Sequence, residues 1–210
     1  MLIDFKKHEI KFKIVYYGPG LSGKTTNIKR IYERFSGKKG QLLSIDTKGE
    51  RTLFFDLLPL ELPILKGYKT IFSLYTVPGQ VFYKQARKLV LKGADGVIFV
   101  ADSNPERFEE NIAIYKEMHD SLTEFGMWSA TKKVPIIVQY NKRDDPNALP
   151  VPVMEEKVNI YKYPYVLSIA TEGKGVFQCL QQMINEVVKY SLRQQQLNFL
   201  IHQQQQQQKK

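Results

Sequence analysis

The sequence predicts an α/β fold with a mostly parallel central sheet covered by helices on both faces, and three observations carry this. Strand-like and helix-like patterns alternate along the chain. The segments Gly96–Ala101 and Val134–Tyr140 are short, largely apolar runs, as in strands buried on both faces. A glycine loop, Gly18 to Thr25, joins a β-rich segment to a helical one.

The elements follow in order. Ile10 to Tyr17 is β-rich, and Lys24 to Phe35 reads as a helix stopped by Ser36-Gly37. Gln41–Ile45, Thr52–Leu58 and Lys69–Thr76 read as strands, with Pro59 and Pro63 punctuating the last gap. Val81–Lys92 reads as a helix ending at Gly93. Pro105–Phe125 is a second, with Pro105 in its first turn and Gly126 beyond its last. Val153–Ile160 reads as a helix, Tyr165–Ile169 as a strand, and Val176 to about Leu200 as the closing helix. These elements make one domain over residues 1–192. The Gln-rich residues 193–210 read as a helical extension or disordered tail.

Composition narrows the class. With 210 residues and 43% apolar content the chain can bury a substantial core. Its single cysteine, Cys179, forms no internal disulfide and reads as a core side chain. No apolar stretch reaches membrane-spanning length and the N-terminus has no signal-peptide pattern, so no transmembrane segment and a cytoplasmic location are expected. The net charge of +10 is uneven: 18 Lys and Arg stand against 7 Asp and Glu through Lys92, and 13 against 14 beyond it. A solvated surface accounts for this, and so does an acidic partner or anionic surface facing the first part. No nucleic-acid-reading motif accompanies the charge, so no nucleic acid is expected. His8, His119 and His202 are too dispersed for a metal or catalytic cluster.

Gly18 to Thr25 matches G-x-x-x-x-G-K-[ST], the phosphate loop of P-loop NTPases. Gly18, Gly20 and Gly23 let backbone N–H groups, with those of Leu21 and Ser22, turn inward around phosphate oxygens. The helix N-terminus adds a favourable dipole. Lys24 reaches the outer phosphates, the Thr25 hydroxyl is a Mg²⁺ ligand and Thr26 meets the inner phosphate.

The loop alone is silent about the base. Asn141-Lys142-Arg143-Asp144, at the end of an apolar strand, supplies that information. The Asp144 carboxylate is a paired acceptor for guanine's N1–H and N2–H donors, which adenine lacks. Lys142 lies along the ring and Asn141 ties this loop to the phosphate loop. The two motifs resemble those of the Ras-like small GTPases. Tyr16-Tyr17-Gly18-Pro19-Gly20-Leu21, Leu53-Phe54-Phe55-Asp56 and Tyr75-Thr76-Val77-Pro78-Gly79-Gln80-Val81-Phe82-Tyr83 look like the bacterial MglA-type members. The likeness covers roughly nine-tenths of the chain, from about Ile10 to the final helix. It implies a Ras-like G domain binding GTP or GDP with Mg²⁺, and a third base-reading element at Ser168-Ile169-Ala170-Thr171. There the Ala170 N–H would meet the guanine oxygen. Thr171 stands where many relatives have Lys, so ring packing on that side is weaker.

Hydrolysis needs an aligned water and positive charge on the phosphoryl oxygens. Gly79 is placed to give its N–H to the γ-phosphate, and Gln80 to orient the water. Thr76 stands where the usual D-x-x-G pattern has Asp, so the metal shell differs, and Asp56 is a candidate to supply the carboxylate through water. The resemblance implies that Arg51 is an arginine finger from the same chain and that Thr52 binds Mg²⁺ and γ-phosphate in the GTP state. The helix after Gln80 carries Lys84, Arg87, Lys88 and Lys92; positions 84, 88 and 92 share one face, which reads as a solvated face or a nucleotide-dependent partner surface.

The expected function is a GTP-hydrolysing molecular switch, slow without an activating partner. The resemblance adds bacterial polarity and motility control, recruitment to a cell pole, a Roadblock/LC7-type MglB-like activating protein, and downstream polarity or motility effectors. The alternative is a GTP-bound interaction scaffold with negligible turnover. A small-metabolite kinase is disfavoured by the guanine motif.

Overall fold

A computed structural model describes residues 1–45, 55–64, 67–78 and 83–207. The strands are β1 (Leu2–Asp4), β2 (Glu9–Tyr17), β3 (Leu43–Ile45), β4 (Phe55–Leu62), β5 (Lys69–Thr76), β6 (Gly96–Asp102), β7 (Ile136–Asn141) and β8 (Tyr165–Leu167). The helices are α1 (Lys24–Arg34), α2 (Lys84–Leu91), α3 (Phe108–Glu124), α4 (Val151–Lys157) and α5 (Val176–Gln207). The sheet runs β3-β4-β5-β2-β6-β7-β8, with β1 antiparallel beside the start of β2. From β5 to β8 every pairing is parallel, whereas β3–β4 and β4–β5 are antiparallel.

This is the expected mostly parallel α/β architecture, and its centre follows from hydropathy. Every residue of β6 and of β7 is buried, because helices cover both faces there. β2 splits its side chains between two cores. Ile10, Phe12, Ile14 and Tyr16 pack with Ile28 and Ile31 of α1 and with α5. Val15 and Tyr17 pack with Leu91 of α2 and with Ile114, Tyr115 and Met118 of α3. Cys179 is wholly buried in the first core, and burial pushes its thiol well above the ordinary range. No helix among the described residues is long and apolar enough to cross a membrane.

Several boundaries differ from the sequence reading. β4 passes straight through Pro59. The Pro59 carbonyl accepts the Gly40 N–H at 2.9 Å, so its missing N–H faces that side and removes no bond to β5, where Pro59 stands opposite Ser73. Residues 52–54 of the expected strand and 81–82 of the expected helix lie outside the described residues. Pro105–Arg107 is a 3₁₀ turn leading into α3, and the Asn104 side chain accepts the Glu106 N–H at its start. β1 was not anticipated; it is only three residues long. α5 runs unbroken to Gln207 through the Gln-rich segment.

His119, on α3, is 5% exposed and enclosed by the rings of Tyr161 (4.4 Å), Tyr115 (4.7 Å), Trp128 (5.2 Å) and Tyr163 (5.7 Å). Neither ring nitrogen has a hydrogen-bond partner among the described residues. Burial therefore pushes the imidazole down to about 4. The folded state keeps it neutral while the unfolded chain binds a proton near its ordinary value. Stability is thus complete above about pH 6.5 and lost as pH falls towards 4, by about 3 kcal/mol in all. Thermal unfolding of His119→Phe between pH 7 and pH 4.5 is expected to show a shallower loss of Tm than the parent.

Candidate functional site

The C-terminal ends of β2, β6 and β7 bring the two sequence motifs together. β2 ends at Tyr17, and the loop Gly18–Gly23 leads directly into α1. α1 begins on Gly23 with φ +102°, with no side-chain cap and no acidic residue in its first turn. Its leading N–H groups are thus left for an anion. A Cβ on Gly23 would lie 2.2 Å from Asn141 Nδ2, and one on Gly18 (φ +141°) 2.3 Å from the Val100 carbonyl oxygen. Both positions demand glycine by conformation and by space.

Lys24 is 6% exposed, and its ammonium donates to the carbonyls of Gly18 (3.0 Å) and Pro19 (2.5 Å). It has no acidic partner within ion-pair distance among the described residues. Burial, then the nearby Arg87 charge, pushes it down to about 7. The Ser22 hydroxyl, buried in the same loop, has no hydrogen-bond partner among the described residues. A desolvated cation, an orphan hydroxyl and an uncapped helix start together form a cradle for phosphate.

Beside the cradle, Asp56 of β4 gathers three hydroxyls. Its carboxylate accepts from Thr25 (2.7 Å), Ser44 (2.7 Å) and Thr76 (3.0 Å), and its N–H donates to the Thr76 hydroxyl at 2.8 Å. An all-oxygen set of one carboxylate and hydroxyls fits a hard divalent cation such as Mg²⁺. Register places it: Asp56 lies opposite Ser44 on β3, and Leu57 opposite Tyr75 on β5. The Asp56 and Thr76 positions singled out in the sequence are therefore in direct contact.

Asn141, the last residue of β7, is the joint between loops. Its Nδ2 donates to the Ser22 carbonyl at 2.8 Å, while its Oδ1 accepts the Ala170 N–H at 2.9 Å and the Ser168 hydroxyl at 3.0 Å. The expected tie to the phosphate loop is there. The Ala170 N–H, expected for a guanine oxygen, is engaged by Asn141, so a base would have to share it. A cleft of about 410 Å³ is lined by Leu21, Gly23, Thr26, Lys142, Asp144 and Thr171, among others. The Asp144 carboxylate makes no hydrogen bond or ion pair among the described residues and stands exposed at the cleft. Lys142 has a left-handed φ of +62°, and its ammonium pairs with the wholly buried Asp102 at 2.6 Å.

Some contributors were not read from sequence. Asp102 at the end of β6 anchors Lys142, and Ser44 supports Asp56. Arg107 donates from Nη2 to the Gly20 carbonyl at 2.9 Å, bracing the phosphate loop from the start of α3. On α2, Arg87 lies apart from the face that carries Lys84, Lys88 and Lys92. Arg87 is wholly buried and makes paired bonds to Glu117 on α3 at 2.8 and 2.7 Å, and the Tyr17 hydroxyl donates to the same carboxylate at 2.7 Å. Burial alone would raise Glu117, but these bonds hold it below the usual carboxylate range. Lys88 pairs with Glu124, and Lys84 and Lys92 stand exposed. Arg51, Thr52, Gly79 and Gln80 lie outside the described residues.

Comparison with known proteins agrees with this arrangement. The model of the Arf, ADP-ribosylation factor, family matches residues 1–190. The mutual gliding-motility protein MglA of Myxococcus xanthus (strain DK1622) is 49% identical over 187 residues, which cover 89% of this chain and 95% of that protein. A chain that matches the family model through its whole globular part, with the phosphate and base loops joined at Asn141, belongs to the ADP-ribosylation factor family of small GTPases.

Proposed function

We propose that the chain is a GTP/GDP switch that hydrolyses GTP with Mg²⁺, its turnover raised by an activating partner. The observation that carries this is the Asn141 joint. It ties the Ser22 carbonyl of the glycine loop to the end of β7, beside a cleft lined by Gly23, Thr26 and Asp144. Lys24 and the N–H groups of Gly20 to Thr25 bind the phosphates. Asp144 accepts guanine's N1–H and N2–H, the Ala170 N–H is shared with the guanine oxygen, and the Lys142 stem packs along the ring. Thr25 and, in the GTP state, Thr52 would hold Mg²⁺, with the Asp56 carboxylate beside Thr25 in place of the Asp that Thr76 replaces. When bound, Mg²⁺ would supply positive charge that offsets the charge of the phosphates.

For the hydrolysis step, Gly79 gives its N–H to the γ-phosphate, Gln80 orients the attacking water, and Arg51 neutralises charge on the transferred phosphoryl group. Loss of the γ-phosphate releases Thr52 and Gly79, which is the switch. The name of the Myxococcus relative, a gliding-motility protein, supports a role in motility, which we extend to cell polarity. We extend this to a Roadblock/LC7-type MglB-like activator, polar recruitment, and polarity or motility effectors.

Asp56 gives the test of the metal site. In Asp56→Asn the amide keeps the shape and loses the charge, so nucleotide retention should need about tenfold more Mg²⁺. Release of fluorescent GDP across a Mg²⁺ titration measures this. An unchanged Mg²⁺ dependence would confine Asp56 to pairing hydroxyls.

A further inference from the structure

The face of β7 that looks towards α1 carries Ile137, Gln139 and Asn141, alternate residues of one strand. Ile137 belongs to the core shared with α1 and α5. Asn141 reaches the phosphate loop. Gln139, between them, is wholly buried, and so is Asn27 on α1. Gln139 Nε2 donates to Asn27 Oδ1 at 2.9 Å, and Asn27 Nδ2 donates to the Gly23 carbonyl at 2.9 Å. The same carbonyl accepts the Asn27 backbone N–H at 2.9 Å.

Each link fixes the next. A carbonyl only accepts, so Asn27 gives its Nδ2 to Gly23 and turns its Oδ1 to the sheet, where only a donor will serve. Gln139 is that donor. Its own Oε1, also buried, has no partner among the described residues. A leucine and a methionine of similar shape would fill the same place without an orphaned acceptor, so packing alone does not account for the pair.

What the relay holds is a peptide plane. In a trans peptide the carbonyl of one residue and the N–H of the next point to opposite sides. Asn141 holds the Ser22 carbonyl at 2.8 Å, which turns the Gly23 N–H the other way. Asn27 holds the Gly23 carbonyl, which does the same for the Lys24 N–H. Between the two planes the backbone turns at Gly23, with φ +102°.

We propose that Gln139 and Asn27 are positioning residues for the phosphates: the relay from β7 sets the Lys24 N–H as Asn141 sets that of Gly23. This rests on the guanine-nucleotide reading above. N–H groups of such a loop cradle the α- and β-phosphates, so the relay bears on a diphosphate more than on a monophosphate.

Displacement of a fluorescent GDP analogue from the full chain by GDP and by GMP tests this, alongside thermal unfolding in the absence of nucleotide. Asn27→Leu with Gln139→Met replaces the pair by apolar groups of similar shape, so Tm should equal or exceed the parent's. The ratio of GDP to GMP affinity should nevertheless fall by about tenfold. Gln139→Met alone leaves Asn27 Oδ1 unpartnered and should lower both Tm and the ratio. Unfolded molecules bind neither nucleotide and cancel from the ratio, which therefore stays readable in a variant that folds poorly. A parent-like ratio in either variant would overturn the proposal and leave the nucleotide site standing. A parent that does not bind GDP would overturn both.

Discussion

Asp144→Asn is expected to weaken GDP and GTP binding by about 10⁴-fold, because a site built to hydrogen-bond a substrate group rejects a mismatched partner by that order. In the proposed complex the carboxylate accepts from two guanine donors, N1–H and N2–H. An amide in its place offers one acceptor and one donor, and the donor meets the guanine amino group. Xanthine carries an oxygen where guanine has that amino group, so the variant should bind xanthosine diphosphate in preference to GDP. The exposed position of Asp144 and its lack of hydrogen bonds or ion pairs among the described residues make a folding defect an unsuitable explanation for such a change. Equilibrium titration of the parent and the variant with both diphosphates checks it. Equal weakening towards both would mean that Asp144 shapes the loop rather than reads the base.

The second large effect concerns rate. Arg51→Ala is expected to reduce partner-stimulated GTP hydrolysis by about 10³–10⁵-fold, the range for loss of an arginine finger. Nucleotide affinity should stay nearly unchanged, since the finger acts on charge that develops in the transition state. Arg51→Lys should recover little, because an ammonium cannot reproduce the planar fork. Single-turnover phosphate release with and without a Roadblock-type partner measures the loss. A fall in affinity of the same size would give Arg51 a structural role. Absence of release from the parent under both conditions would favour a GTP-bound scaffold.

Much of the frame was legible because its signals are local. The buried runs of β6 and β7, the alternation along β2 and the glycine loop before α1 each follow from a few adjacent residues. The same holds for the two loops that meet in the cleft. The misreadings have a common cause in contacts across the sequence. Pro59 reads as a break until its missing N–H is seen to face Gly40, away from β5. Arg87 reads only as one more charge on the helix after Gln80 until Glu117, thirty positions later, takes it inside with Tyr17. Lys142 was placed along the ring, which its stem permits, but its ammonium is held by Asp102. Asp56 is a candidate on sequence grounds; strand register brings it against Ser44 and Thr76, and the first turn of α1 brings Thr25 to it.

The central claim is that Asn141 joins a phosphate cradle to a reader of guanine, and selectivity tests it most directly. With the full chain in Mg²⁺, displacement of a fluorescent GTP analogue by GDP and by ATP would be compared at equilibrium. The account predicts displacement by GDP and none by ATP at the same concentrations. Equal displacement by ATP would contradict it, since the phosphate loop would then be working without the base reader.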